Sequence, residues 1–147
     1  MEKIALLSSV IAISAILTGC VSVPSNETNQ IQENVRHSIL GTWGIESLPY
    51  AAEKNIPPAP QASITFTAEN VNGCAGDNRF FGSVKINGNS LHFSQLGMTK
   101  MMGPNAAYED CFIKALNEVT SFAVKEKTYL LNKEGNVVMI LKPEQKQ

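Results

Sequence analysis

The chain is poor in the residues that build chemical sites. It has two histidines and three cysteines among 147 positions. Cys20, Cys74 and Cys111 stand far apart with none of the paired spacing of a tetrahedral zinc centre, so no metal site is assigned. His37 lies in a polar N-terminal stretch, and His92 alternates outward between Leu91 and Phe93. No acid, base and nucleophile can be assembled around either, so no catalytic residue and no cofactor is assigned and the reading is non-enzymatic. Gly73-Cys74-Ala75-Gly76-Asp77-Asn78-Arg79 has the glycines of a phosphate loop but not the Gly-Lys-Ser/Thr ending that makes one work. Those glycines are expected to allow positive φ or a bulge in a turn between strands. Charge is balanced, 12 basic against 13 acidic residues, which leaves no electrostatic footprint for nucleic acid. A long apolar run is also missing: the stretch Ile4–Leu17 has fourteen residues, whereas a membrane-spanning helix needs roughly 20.

What is present at the N-terminus is the layout of an export signal. Met1-Glu2-Lys3 gives a charged start, Ile4–Leu17 the apolar middle, and Leu17-Thr18-Gly19-Cys20 the small residues of a cut. The last four resemble a bacterial lipobox, which implies cleavage after residue 19, a diacylglyceryl thioether and an N-acyl chain on Cys20. Multiple acyl chains hold a protein firmly, since each buried methylene contributes about 0.8 kcal/mol. Val21 stands where lipoproteins retained in the inner membrane carry Asp, so the expected location is the outer membrane, lipid-anchored, with the domain facing the periplasm.

In that oxidising compartment the two remaining thiols, Cys74 and Cys111, are expected to form a disulfide, with two buried free thiols as the alternative. Residues 20–38 comprise the lipid-bearing Cys20 and a stretch rich in Ser, Asn, Gln, Glu and Thr, read as a flexible tether. One domain follows over residues 39–142, and residues 143–147 form a polar tail.

Strand-like alternation begins at Leu40-Gly41-Thr42-Trp43-Gly44-Ile45, with Trp43 as a core anchor, and resumes at Ser63–Thr67. Between them the prolines of Pro49–Pro60 predict an extended surface loop. Asn87-Gly88 predicts a tight hairpin within Phe80–Phe93, and Lys133–Asn136 a second one in a C-terminal meander of Val119–Val124, Thr128–Leu131 and Val137–Leu141. One segment changes period. Tyr108, Cys111, Phe112, Ala115, Leu116 and Val119 follow helical spacing, which predicts a helix over about 105–119, capped by Asn105, with the Cys111 sulfur turned toward the sheet. Met98, Met101 and Met102 are expected to pack in the core, with an apolar groove as the other reading. The fold class is α+β: an antiparallel sheet or partly closed barrel packed on one helix.

Two stretches carry a family resemblance. Gly76-Asp77-Asn78-Arg79-Phe80-Phe81-Gly82 is similar to the Gly-Cys-Asn-Arg-Phe-x-Gly pattern of the META domain family, and Leu96-Gly97-Met98-Thr99-Lys100-Met101-Met102 to its Leu-x-Met-Thr-Arg-Met-Met-Cys. Gly41-x-Trp43, Ile64-Thr65-Phe66 and a helix directly after the methionines support it. Asp77 and Gly103 stand where the family pattern has cysteines, and the Cys74–Cys111 pair is expected to replace that crosslink. Asn78 and Thr99, which match motif positions, are read as structural hydrogen-bonding residues.

The resemblance, which extends to HslJ-like heat-shock lipoproteins, implies an envelope protein linked to heat shock and novobiocin tolerance, with no active site to carry over. Its partners would be the membrane, through the lipid on Cys20, and an envelope protein. The other reading is a tethered periplasmic ligand-binding or enzyme-inhibitor module, with Asp77, Asn78 and Arg79 as its contact loop.

Overall fold

The computed structural model describes residues 25–144. The lipobox, Cys20 and the apolar run before it lie outside the described residues. Eight strands alternate along the chain: β1 (Gly41–Ser47), β2 (Ser63–Phe66), β3 (Asn70–Cys74), β4 (Arg79–Asn87), β5 (Ser90–Met98), β6 (Val119–Val124), β7 (Thr128–Asn132) and β8 (Val137–Pro143). Each pairs antiparallel with the next, and β8 returns to β1, so the sheet closes into a barrel. Closure buries one side chain in two, and Ile64, Phe66, Val71, Phe80, Val84, Leu130, Met139 and Leu141 fill the interior.

Both expected hairpins are present. Gly88 (φ +56) and Asn89 join β4 to β5, and Gly135 (φ +82) lies in the turn from β7 to β8. At these positions glycine supplies the positive φ that the turns demand.

Three helices accompany the barrel: α1 (Ser25–His37), α2 (Pro49–Ala52) and α3 (Ala106–Glu118). The helix expected at about 105–119 is α3, and its apolar stripe of Tyr108, Cys111, Phe112, Ala115 and Leu116 is buried. Burying each large apolar side chain there contributes about 1.5–3 kcal/mol, which holds α3 against the barrel and α2. The chain turns extended at Val119 (φ −64, ψ 129), where the β-branched run of β6 begins.

Two regions differ from the sequence expectation. Residues 25–37, read as part of a flexible tether, are helical. Glu27 in the first turn and Arg36 and His37 in the last complement the helix dipole, Glu33 lies 3.0 Å from His37, and Val35 packs on the core. Arg36 also donates to the carbonyl of Ala68 at 3.3 Å, so α1 lies over the end of the barrel where β2 turns into β3. The proline-rich segment, read as an extended loop, begins with a helical turn because Pro49 occupies N1, where its fixed φ and missing N–H suit a helix. Leu48, Ala51 and Ala59 are buried rather than displayed. Trp43 is half-buried and donates from Nε1 to the Ile39 carbonyl at 2.8 Å.

Candidate functional site

Both motif stretches meet at one end of the barrel. The loop from Ala75 to Asn78 joins β3 to β4, and the segment Thr99–Asn105 leads from β5 into α3. Asn78 is 3 % exposed and Glu109, on the first turn of α3, 4 %. The Asn78 backbone N–H donates to one Glu109 carboxylate oxygen, and Asn78 Nδ2 donates to the other at 2.8 Å and to the Met101 carbonyl at 2.9 Å. Asn78 Oδ1 accepts from Thr99 Oγ1 at 3.0 Å and from the Met101 N–H at 2.6 Å. Thr99 Oγ1 also accepts from the Arg79 N–H at 3.1 Å. The side-chain amide is thus satisfied on both its oxygen and its nitrogen, and both carboxylate oxygens of Glu109 are occupied, as burial of such groups requires.

Asp77 completes this latch. Its carboxylate accepts from the Asn105 backbone N–H at 2.7 Å and from Asn105 Nδ2 at 2.8 Å. Asn105 does precede α3 as its N-terminal flanking residue, but it makes no side-chain cap bond because that side chain is spent on Asp77. Gly76 is needed for space rather than for positive φ: an added β carbon would lie 3.0 Å from both Asn105 Cβ and Glu109 Cγ. Gly73, within β3, likewise has no positive φ, and a β carbon there would meet the Ser63 carbonyl oxygen at 2.1 Å. The expected positive φ or bulge at these glycines is therefore replaced by close approach, of the Ser63 backbone to Gly73 and of the Asn105 and Glu109 side chains to Gly76.

Asn78 and Thr99 act as the structural hydrogen-bonding residues that the motifs suggested. The contact loop assigned to Asp77, Asn78 and Arg79 does not form one surface: Asn78 faces inward, Asp77 is held by Asn105, and only Arg79 is exposed. Expected core packing of the methionines also fails beyond Met98, because Met101 is 62 % exposed and Met102 fully so. They follow the end of β5, where alternation no longer directs side chains inward. Arg79, Lys100, Met101 and Met102 together with Phe81, 58 % exposed on β4, form the outward aspect of this end.

The expected disulfide is absent. Cys74 and Cys111 are free thiols that donate to different carbonyls, Cys74 to Gly76 at 2.9 Å and Cys111 to Tyr50 at 3.6 Å. Cys111 is buried on the stripe of α3, but that part of the helix faces α2 rather than β3, which separates the sulfurs. Around Tyr50 a second cluster ties α2 to α3: its hydroxyl donates to the Glu118 carboxylate, and the Lys114 ammonium lies 4.0 Å from its ring centroid. The bond to Glu118 pushes the Tyr50 hydroxyl up to about 12, and burial pushes Tyr108 up to about 12 as well.

His37 and His92 are exposed and far from this end, and among the described residues no three of His, Cys, Asp and Glu are grouped as metal ligands. Sequence reasoning missed Glu109. It lies four residues after Asn105 and three before Phe112, on the flank of the buried stripe, and that spacing is the one signal that it faces inward.

Fold and latch together define a small antiparallel barrel closed at one end by helices, with its β3–β4 loop hydrogen-bonded to the start of the longest inter-strand helix. The META domain matches residues 37–146, and the chain belongs to the META domain family. Among solved structures it is similar to the NMR structure of a protein from Burkholderia xenovorans, with 22 % identity and a TM-score of 0.50 over 74 % of this chain and 81 % of that one. At that identity the likeness concerns the fold alone. No curated protein matches the chain.

Proposed function

We propose that this META-domain protein is a non-enzymatic, lipid-anchored component of the bacterial outer membrane that works by contact, supporting envelope stress resistance of the heat-shock or novobiocin-tolerance kind. The observation that carries the reading is the saturation of the motif residues. Asn78, Thr99, Asp77 and Glu109 are bonded to one another, to Asn105 and to the backbone, so the motif builds a rigid base rather than a set of free acids and bases. The lipobox sequence ending at Cys20 supports the anchor. Labelled palmitate should enter the wild-type protein and sediment with outer membranes, and a Cys20→Ala variant should carry no label. An unlabelled, freely soluble wild-type protein contradicts the anchor.

One observation favours the ligand-binding or inhibitor reading. Met101 and Met102 are exposed although the Met101 N–H is fixed by Asn78, so apolar side chains are held outward on an ordered backbone. Loss of partner binding in a Met101→Gln/Met102→Gln variant of unchanged melting temperature would support it; retained binding would sink it.

A further inference from the structure

The barrel closes weakly at one seam. β5 and β6 share a single residue pair, Ser90 with Ser121, whereas β4 and β5 form seven pairs. One bulge interrupts these at Gln95 and Leu96, where Gln95 has φ +54, so that Phe93 and Met98 on β5 span the same stretch as Val84 and Phe80 on β4. The hydrogen-bond alternation shows which way the rest of β5 points. The Val84 N–H donates to the Glu69 carbonyl, away from β5, so its cross-strand partner Phe93 also turns its main-chain groups away from β4. The Thr99 N–H donates to the Arg79 carbonyl, which makes the neighbouring pair Phe80–Met98 the kind that does not exchange hydrogen bonds, and Met98 too points its main chain out of the sheet. Among the described residues no other strand pairs with Phe93 or Met98 on that side. Their side chains report the same opening: Phe93 and Met98 are half-buried, while their partners on β4, Val84 and Phe80, are buried.

The charged side chains on β4 and just after β5 have one sign. Arg79 and Lys85 on β4 and Lys100 just after β5 are exposed, and β4, β5 and β6 contain no carboxylate.

We propose that the open edge of β5 over Phe93–Met98 binds an extended, acidic segment of a partner protein by strand addition. The unpaired main-chain groups require an extended backbone opposite them. The partner's apolar side chains pack beside Phe93 and Met98, and its alternate, acidic ones face Lys85, Arg79 and Lys100. A second copy of this chain is a poor occupant, because edge-to-edge pairing would bring the cations together. This site rests on the reading that the domain works by contact and names the surface and partner chemistry for it.

The test is amide exchange by NMR on the purified protein, alone and with a capped eight-residue peptide alternating Val and Glu. Alone, Phe93 and Met98 should exchange fast while their neighbours His92 and Gly97, bonded to β4, are protected. The Val-Glu peptide should slow Phe93 and Met98 by at least roughly tenfold, and a Val-Lys peptide should not. A Lys85→Glu/Lys100→Glu variant, altered at two exposed positions, should keep its melting temperature and exchange the peptide preference. Protection of Phe93 and Met98 in the free protein, no response to the Val-Glu peptide, an equal response to both peptides, or a response mapped to another strand would each overturn the proposal. Palmitate labelling does not enter this assay, so the anchor and the binding edge fail independently.

Discussion

Asp77 occupies the space that a side chain at Gly103 would need: a β carbon added to Gly103 would lie 2.2 Å from Asp77 Oδ2 and 2.8 Å from Asp77 Cβ. These are the two positions at which the family pattern has cysteines. The structure brings them together, and in this chain a carboxylate bonded to Asn105 holds the loop to the start of α3 instead. The crosslink has not moved to Cys74 and Cys111, both of which are free.

Gly103→Ala should therefore destabilise the fold by about 1–3 kcal/mol through overpacking against Asp77, read as a lowered denaturation midpoint. The paired substitution Asp77→Cys/Gly103→Cys should form a disulfide under oxidising conditions after a small backbone shift. Loop-closure entropy puts its worth at about 3.5 kcal/mol, so the oxidised variant should melt well above its reduced form. Failure to oxidise would mean that the two positions do not face each other.

Reduction of the wild-type protein should leave its melting temperature unchanged, because the native fold contains no bond between Cys74 and Cys111. Protein taken directly from the envelope and denatured should show both thiols open to maleimide. A fall in melting temperature on reduction would restore the crosslink that the geometry denies.

Asn78→Ala should cost about 2–4 kcal/mol, since it removes the Nδ2 donor from the buried Glu109 carboxylate, leaving it only the backbone N–H, and deprives the Met101 N–H and Thr99 hydroxyl of their acceptor. Arg79→Ala, at the next residue along the chain but exposed, should change stability by less than about 0.5 kcal/mol. Comparable losses from the two would remove the distinction between latch and surface.

Tyr50 and Tyr108 have hydroxyls raised to about 12, the first by its bond to Glu118 and the second by burial. In unfolded chains tyrosine ionises near pH 10. A raised folded value means the unfolded state releases its protons first, so this contribution is full below pH 10 and is lost between pH 10 and 12. Tyr50→Phe should reduce that decline, and phenolate absorbance of the wild type should show two of its three tyrosines silent at pH 10.5. Full ionisation there would contradict both environments.

Much of this architecture is written locally. The 3.6-residue stripe from Tyr108 to Leu116, the Asn87-Gly88 turn and the β-branched runs each fix their own conformation, so α3, both hairpins and the C-terminal meander are readable without tertiary information. The motif resemblance also located Asn78 and Thr99. What local pattern does not carry is the partner of each group. Glu109 is buried because Gly76 and Asn78 from a distant loop receive it, and Cys111 faces Tyr50 because a proline-led turn folds onto α3. Residues 25–37 show the converse error: polar composition suggested a tether, yet Val35 and the Arg36 contact are enough to dock a helix.

The most direct measurement of the functional account is survival of a deletion strain under heat, detergent and novobiocin, complemented with wild type, Cys20→Ala or Lys85→Glu/Lys100→Glu. The account predicts sensitivity that wild type rescues and neither variant does, placing the action at the membrane and at the cationic edge of β5. Full rescue by the unlipidated variant, or no sensitivity in the deletion strain, would contradict it.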